Sequence, residues 1–179
     1  TVASGLSDPH GVTPYGSTLY IADSGNNAIK KVSTSGGTVT TLTAGVSDPR
    51  RMAISSDGST LYVADNGNHR VVGITTSSGA VSVIAGSGTS GYAEGTGTGA
   101  QFEHVWGVAL SGNYLYVSDH DNWTVDRIRK INLSTKQTSL IYQDTRQNEM
   151  IYPSGLVVYG NYVYVVNAGL VTVHKFNTS

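Results

Sequence analysis

Residues 46–88 read VSDPRRMAISSDGSTLYVADNGNHRVVGITTSSGAVSVIAGSG. Short runs rich in Val, Ile, Thr and Tyr alternate here with Gly-, Ser- and Asp-containing clusters, as strands joined by hairpin turns require. The run Leu61–Ala64 is apolar at successive positions, which predicts a strand buried on both faces. The same order of signals recurs over residues 6–45, 101–143 and 151–179. The step LY[IV]xD ends at Asp23, Asp65 and Asp119, and a degraded copy ends at Asn167, giving spacings of 42, 54 and 48 residues. In the first unit the strands are expected near His10–Tyr15, Thr18–Ala22, Ala28–Ser33 and Thr38–Thr43.

Units of roughly 40–50 residues belong to propellers or to helical arrays. Composition decides between them. Charged residues make up 13% of the chain, about half the usual quarter, and Gly, Ser and Thr fill the gap. Helices favour Ala, Leu, Glu and Lys instead. The expected fold is all-β: one domain over residues 1–179, a β-propeller of four four-stranded blades at about 6–45, 46–100, 101–150 and 151–179 plus 1–5. The last unit lacks a fourth strand, and residues 1–5 resemble the end of an outer strand. An N-terminal strand completing the last blade would hide two sheet edges. A closed four-blade ring is the favoured arrangement. A piece of a larger ring, or a subunit completing a ring with another chain, is the alternative.

DPxG-V, then LYVAD, then NGNHRV, then V-x-V-I-A-G resembles the NHL repeat, best in residues 46–88 with Asn66, Gly67, Asn68, His69 and Arg70 in order. The long connection Gly86–Phe102 is also similar to NHL inter-blade loops. The resemblance spans essentially the whole chain, although the Asn-His-Arg step is altered in the first unit, interrupted in the third and lost in the fourth. It implies a propeller scaffold. Some relatives in that family bind RNA, and some are metal-dependent amidating lyases.

The net charge is −1, and the 11 Lys and Arg form no stripe. A nucleic-acid partner, which rewards a basic face through counterion release, is not expected. No apolar run is long enough for a membrane-spanning helix, and there is no cysteine. The chain begins at Thr1 without a visible signal peptide and is read as a processed or partial sequence. Low Lys and Glu with abundant Ser and Thr points to an extracellular or cell-surface location.

The start of each blade's innermost strand should stand at one mouth of the central channel. His10, Arg50, Trp106 and Ser154 share that position and are the candidate ligand-binding residues. They offer a cation, an aromatic platform and hydrogen-bonding groups; as channel filler they would serve packing alone. His69 sits in the repeat's loop, where a structural hydrogen bond is expected. Zinc catalysis needs three converging ligands; His10 and His104 can share a face, without an evident third. Asp119, Asp121, Asn122 and Asp126 are an oxygen-rich patch that hard cations such as calcium prefer, but Asp and Asn are equally turn formers, and the spacing is not an EF-hand. Tyr20, Tyr62, Tyr116 and Tyr164 repeat at one strand position and are read as core; Tyr92, Trp123 and Tyr152 lie in loops. Asn122, Asn132 and Asn177 head glycosylation sequons. No motif marks a nucleophile with its base.

The function these features favour is a non-enzymatic binding scaffold that takes no cofactor and contacts a protein or a glycan through its loops or channel mouth. The alternative is a metal-dependent lyase or hydrolase in the channel. The thinly charged surface and the open last blade also raise a homo-oligomer or larger assembly.

Overall fold

The computed structural model describes residues 1–121, 125–145, 150 and 152–178. Blade 1 comprises β1 (Pro9–Tyr15), β2 (Thr18–Asp23), β3 (Ala28–Ser33) and β4 (Thr40–Thr43). Blade 2 comprises β5 (Pro49–Ile54), β6 (Thr60–Asp65), β7 (Arg70–Thr75) and β8 (Val81–Ala85). A short β9 (Gly95–Thr96) lies in the following connection. Blade 3 comprises β10 (His104–Ser111), β11 (Tyr114–His120), β12 (Asp126–Asn132) and β13 (Gln137–Asp144), and blade 4 comprises β14 (Pro153–Tyr159), β15 (Tyr162–Asn167) and β16 (Thr172–Asn177). Each blade is an antiparallel meander in chain order, with β9 added beyond β13. The first blade's strands begin and end within two residues of the expected positions. The fold is an all-β propeller of four blades.

The repeated Asp is a staple. Asp23, Asp65 and Asp119 are fully buried. Each carboxylate accepts a backbone N–H from the segment entering its own blade's first strand: Ser7 at 2.7 Å, Ser47 at 2.7 Å and Glu103 at 2.8 Å. Burying a carboxylate costs heavily unless it is hydrogen-bonded, and here the bonds fix how the chain turns into each blade. Asp65 also takes Asn68 Nδ2 at 3.0 Å and Arg70 Nε at 2.7 Å, which accounts for the Asn-His-Arg step of that blade.

Glycine lets the innermost strands crowd the hub. A Cβ on Gly11 would lie 2.5 Å from the Arg50 carbonyl oxygen, and one on Gly107 would lie 2.3 Å from Leu156 Cδ1 and 2.7 Å from the Ser154 carbonyl oxygen. Three apolar cores separate the blades. Tyr20, Ala22 and Ile29 meet Met52, Leu61 and Val63 between blades 1 and 2. Ala64 and Val71 meet Phe102, Val105 and Leu115 between blades 2 and 3. Tyr116 and Ile128 meet Met150, Val163 and Val165 between blades 3 and 4. Of the repeated tyrosines read as core, Tyr20 and Tyr116 are buried, and Tyr62 and Tyr164 are half-buried.

The expected closure is not formed. Residues 1–5 contain no strand, and the fourth sheet has three strands, ending at β16. Val2 and Ala3 instead line a cleft on blade 1 with Leu6, Val12 and Leu19. The physical reason is competition. Capping an edge of blade 4 and lying along blade 1 compete for this short segment, and it lies along blade 1, half covering the cleft there. β1 packs on β5, β5 on β10 and β10 on β14, while β14 and β1 lack comparable packing.

Candidate functional site

The innermost strand of every blade carries a β-bulge near its start. Pairing with the second strand slips between Pro9 and Gly11, between Pro49 and Met52, between Val105 and Gly107, and between Pro153 and Leu156. The slip falls on His10, on Arg50 and Arg51, on Trp106, and on Ser154 and Gly155. A bulge re-aims the side chain of the extra residue, so the same backbone irregularity presents all four candidate positions. The residue two places earlier has a left-handed backbone in three blades, at Asp8, Asp48 and Tyr152.

Three of the four candidates meet. Arg50 Nη1 stands 2.5 Å from His10 Nε2, and its guanidinium lies 4.6 Å from the Trp106 ring centre. The His10 and Trp106 rings approach edge to face at 6.3 Å. Ser154 makes no hydrogen bond to the other three; its carbonyl packs on Gly107. Asp48 holds Arg50 through Nε at 3.0 Å and Nη2 at 2.7 Å, and the same carboxylate oxygen takes Asn66 Nδ2 at 2.7 Å. Arg50 is thus charge-paired and held against the indole. His10 Nε2 also lies 3.1 Å from Asp8 Oδ2. Accepting from Arg50 and donating to Asp8 are alternatives at one nitrogen. Trp106 Nε1 is buried with no hydrogen-bond partner among the described residues.

The ring cluster extends further than the sequence indicated. His120 lies 5.6 Å from Trp106 and stacks on His104 at 5.2 Å; His104 lies 5.8 Å from His69, and Tyr152 closes on His120 at 5.4 Å. A continuous ladder therefore runs His69, His104, His120, Trp106, Arg50, His10 across blades 2, 3 and 1, with Tyr152 from blade 4. Burial lowers the pKa of His104, with a smaller push from His69, and burial likewise lowers that of His120. Both shifts favour the neutral imidazole. His69 Nδ1 donates to the Glu103 carbonyl at 2.5 Å, the structural bond expected of that loop position. His104 joins His69 and His120, not a zinc site with His10. The signal for His120 was its place directly after Asp119, where the first two blades carry Ser24 and Asn66.

The oxygen-rich patch is dispersed. Asp119 is fully buried against Arg129 at 3.2 Å. Asp121 Oδ1 accepts the Val125 N–H at 3.1 Å, closing a turn. Asp126 is buried, and its carboxyl is raised to about 7 by burial, with Asp121 and Asp144 adding to the shift. Asn122 and Trp123 lie outside the described residues. Among the described residues no three His, Asp or Glu converge as metal ligands. The loop aromatic Tyr92 lies 4.2 Å from Arg127 and 5.1 Å from Arg129, covering buried cations. Asn132 Oδ1 accepts from Ser134 N at 2.9 Å and Thr135 N at 3.1 Å, so this sequon's amide closes a turn; Asn177 ends β16. No helix among the described residues is long and apolar enough to cross a membrane.

Known proteins bear on the fold. The LVIVD repeat family matches residues 104–125 and 152–173, the inner part of blades 3 and 4. This supports a β-propeller repeat protein. No curated protein matches the chain. A structural genomics protein of unknown function from Bacteroides thetaiotaomicron is similar at 18% identity and a TM-score of 0.78, over 96% of this chain and 47% of that one. An auxiliary nutrient binding protein from the same organism is similar at 13% identity and 0.73, over 93% of this chain and 47% of that one. A streptogramin B lyase is similar at 14% identity and 0.61, over 97% of this chain and 55% of that one. The chain spans about half the length of each of these proteins, and identities this low establish the fold alone.

Proposed function

We propose that the chain is an NHL-type binding module, extracellular or at the cell surface, that contacts a glycan or protein through the ladder centred on Arg50 and Trp106. One observation carries this reading: bulges in three blades converge His10, Arg50 and Trp106 at one end of the hub, with the indole N–H left without a partner among the described residues. An indole face suits the apolar face of a sugar ring or an apolar side chain, and the guanidinium and imidazoles supply hydrogen bonds at its rim. Neutral His104 and His120 extend the platform without adding charge. The likeness to a nutrient binding protein is in keeping with this role.

The lyase or hydrolase reading has less support. Its ligands would have to include His10 and His104, and those two serve different neighbours: His10 serves Arg50 and Asp8, and His104 stacks between His69 and His120.

The test is calorimetric titration with a panel of neutral and acidic oligosaccharides. The double variant Arg50→Ala, Trp106→Ala should weaken any binder by ~30-fold or more, the loss typical of a hot-spot pair. Unchanged affinity would move the contact surface to the blade edges.

A further inference from the structure

The two ends of the blade row present faces that are interfaces everywhere else in the molecule. Val12 pairs with Ile21 as Met52 pairs with Val63 and as Val108 pairs with Val117, so the three are one position repeated. Met52 and Val108 are 8% and 4% exposed, each covered by the preceding blade; Val12 in blade 1 is 64% exposed, while its pair Ile21 is buried in the cleft that Val2, Ala3 and Leu6 also line. The opposite face behaves alike. The pairs Ala22–Ile29, Ala64–Val71 and Ser118–Ile128 are 0% exposed under the next blade, while the same pair in blade 4, Val166–Val173, is 47% and 66% exposed. A cleft of about 420 Å³ opens on each of these faces, and Arg51 at the hub borders both.

The other blade junctions show what covers such a face. Three times in this chain the following face of one blade is buried by the leading face of the next. The chain carries one unsatisfied face of each kind, at opposite ends. A partner that satisfies both must offer the same two faces, and a second copy does. We propose that two copies of this chain pair head to tail, blade 1 of each on blade 4 of the other, closing an eight-blade ring. The contact is heterologous but is used twice about a two-fold axis, so it closes without leaving a free face. Eight blades lie within the range propellers adopt. The chain covers 47% of two similar propeller proteins, so two copies supply the length of one.

The area suffices. A face of three to four strands, each about six residues long, measures ~20 by ~17 Å, or ~350 Å². Two junctions use four faces, ~1,400 Å² in all, within the ~1,200–2,000 Å² of stable interfaces. The occupant is apolar sheet rather than solvent because the exposed positions are Val in place of the charges that usually guard an open face.

Native mass spectrometry and sedimentation equilibrium of the 179-residue chain test this. The expected species is a dimer of two 18.8 kDa chains. Val12→Lys and Val173→Asp should each weaken it by ~10-fold or more, with an unchanged far-UV circular dichroism spectrum; Val166→Asp replaces either variant whose spectrum changes. Mixing the Lys and Asp variants should restore dimers, since the mixed pair has one unaltered junction and one Lys–Asp junction. A monomer at every concentration, an assembly that grows beyond two copies, a dimer indifferent to the variants, or a mixture without recovery would each overturn the proposal.

Discussion

Arg129→Met probes the most costly arrangement in the molecule. The Arg129 guanidinium is wholly buried, lies 3.2 Å from Asp119, donates to the backbone carbonyls of Gln101 and Ala93, and stacks 4.3 Å from Phe102. It holds the Gly86–Phe102 connection onto blade 3. Met fills much of the same volume but makes none of these bonds, leaving a buried carboxylate and two carbonyls without this cation, although Asp119 keeps the Glu103 N–H. Breaking a buried pair costs ~3–5 kcal/mol, which corresponds to a urea midpoint lower by ~1–3 M and a melting temperature lower by ~6–20 °C. The pH dependence separates charge from packing. Burial raises Asp119 to about 6, and Arg129 is the largest opposing influence. A folded pKa above the unfolded 3.8 means that the native state holds the proton more tightly, so this group's penalty grows as pH rises from about 4 through 6 and disappears in acid. Without Arg129 the pKa climbs further. The deficit of the variant should therefore be largest at pH 7 and shrink at pH 4.5, and adding Asp119→Asn should recover much of it at pH 7. Urea unfolding of the single and double variants at both pH values is the assay. A loss below ~1 kcal/mol at pH 7, or one of equal size at both pH values, would refute the reasoning.

Other residues give shorter tests. Asp65→Ala frees the Ser47 N–H, Asn68 and Arg70 at once and should lower stability by ~2–4 kcal/mol in denaturant titration. Gly107→Ala places a Cβ against Leu156 and the Ser154 carbonyl; parting blades 3 and 4 there should cost ~1–3 kcal/mol by the same measurement. Asp126→Asn removes a carboxyl raised to about 7, so it should raise the melting temperature at pH 8 and leave it nearly unchanged at about pH 3, below both the folded and unfolded pKa.

Local pattern carried much of this molecule. The LY[IV]xD step located the second strand of each blade, because a strand packed between two blades has little choice but to be apolar at successive positions. The turn clusters bounded the strands to within two residues in blade 1. Alignment of the inner strands also selected His10, Arg50 and Trp106, because repeats superpose their bulges. Ser154 aligned equally well but stands apart, since what a bulged side chain meets depends on the neighbouring blade. The histidine ladder was hidden for the same reason: His69, His104 and His120 are separated in the chain and are brought together by the packing of blade 2 on blade 3. Asp119 stood in the oxygen-rich patch, open to either a cation or a turn, because its partner Arg129 lies ten residues on and faces it from the adjacent strand. The N-terminal segment was misassigned because edge satisfaction and apolar burial make competing demands on it, and sequence pattern does not rank them.

The ladder itself is best tested by nuclear magnetic resonance. The chain has two tryptophans, and loss of one indole signal in Trp106→Phe assigns the Trp106 Nε1–H. Titration with an oligosaccharide or protein that binds should shift that signal together with the Arg50 Nε–H. A saturating binder that leaves both resonances unmoved would contradict a site at the hub.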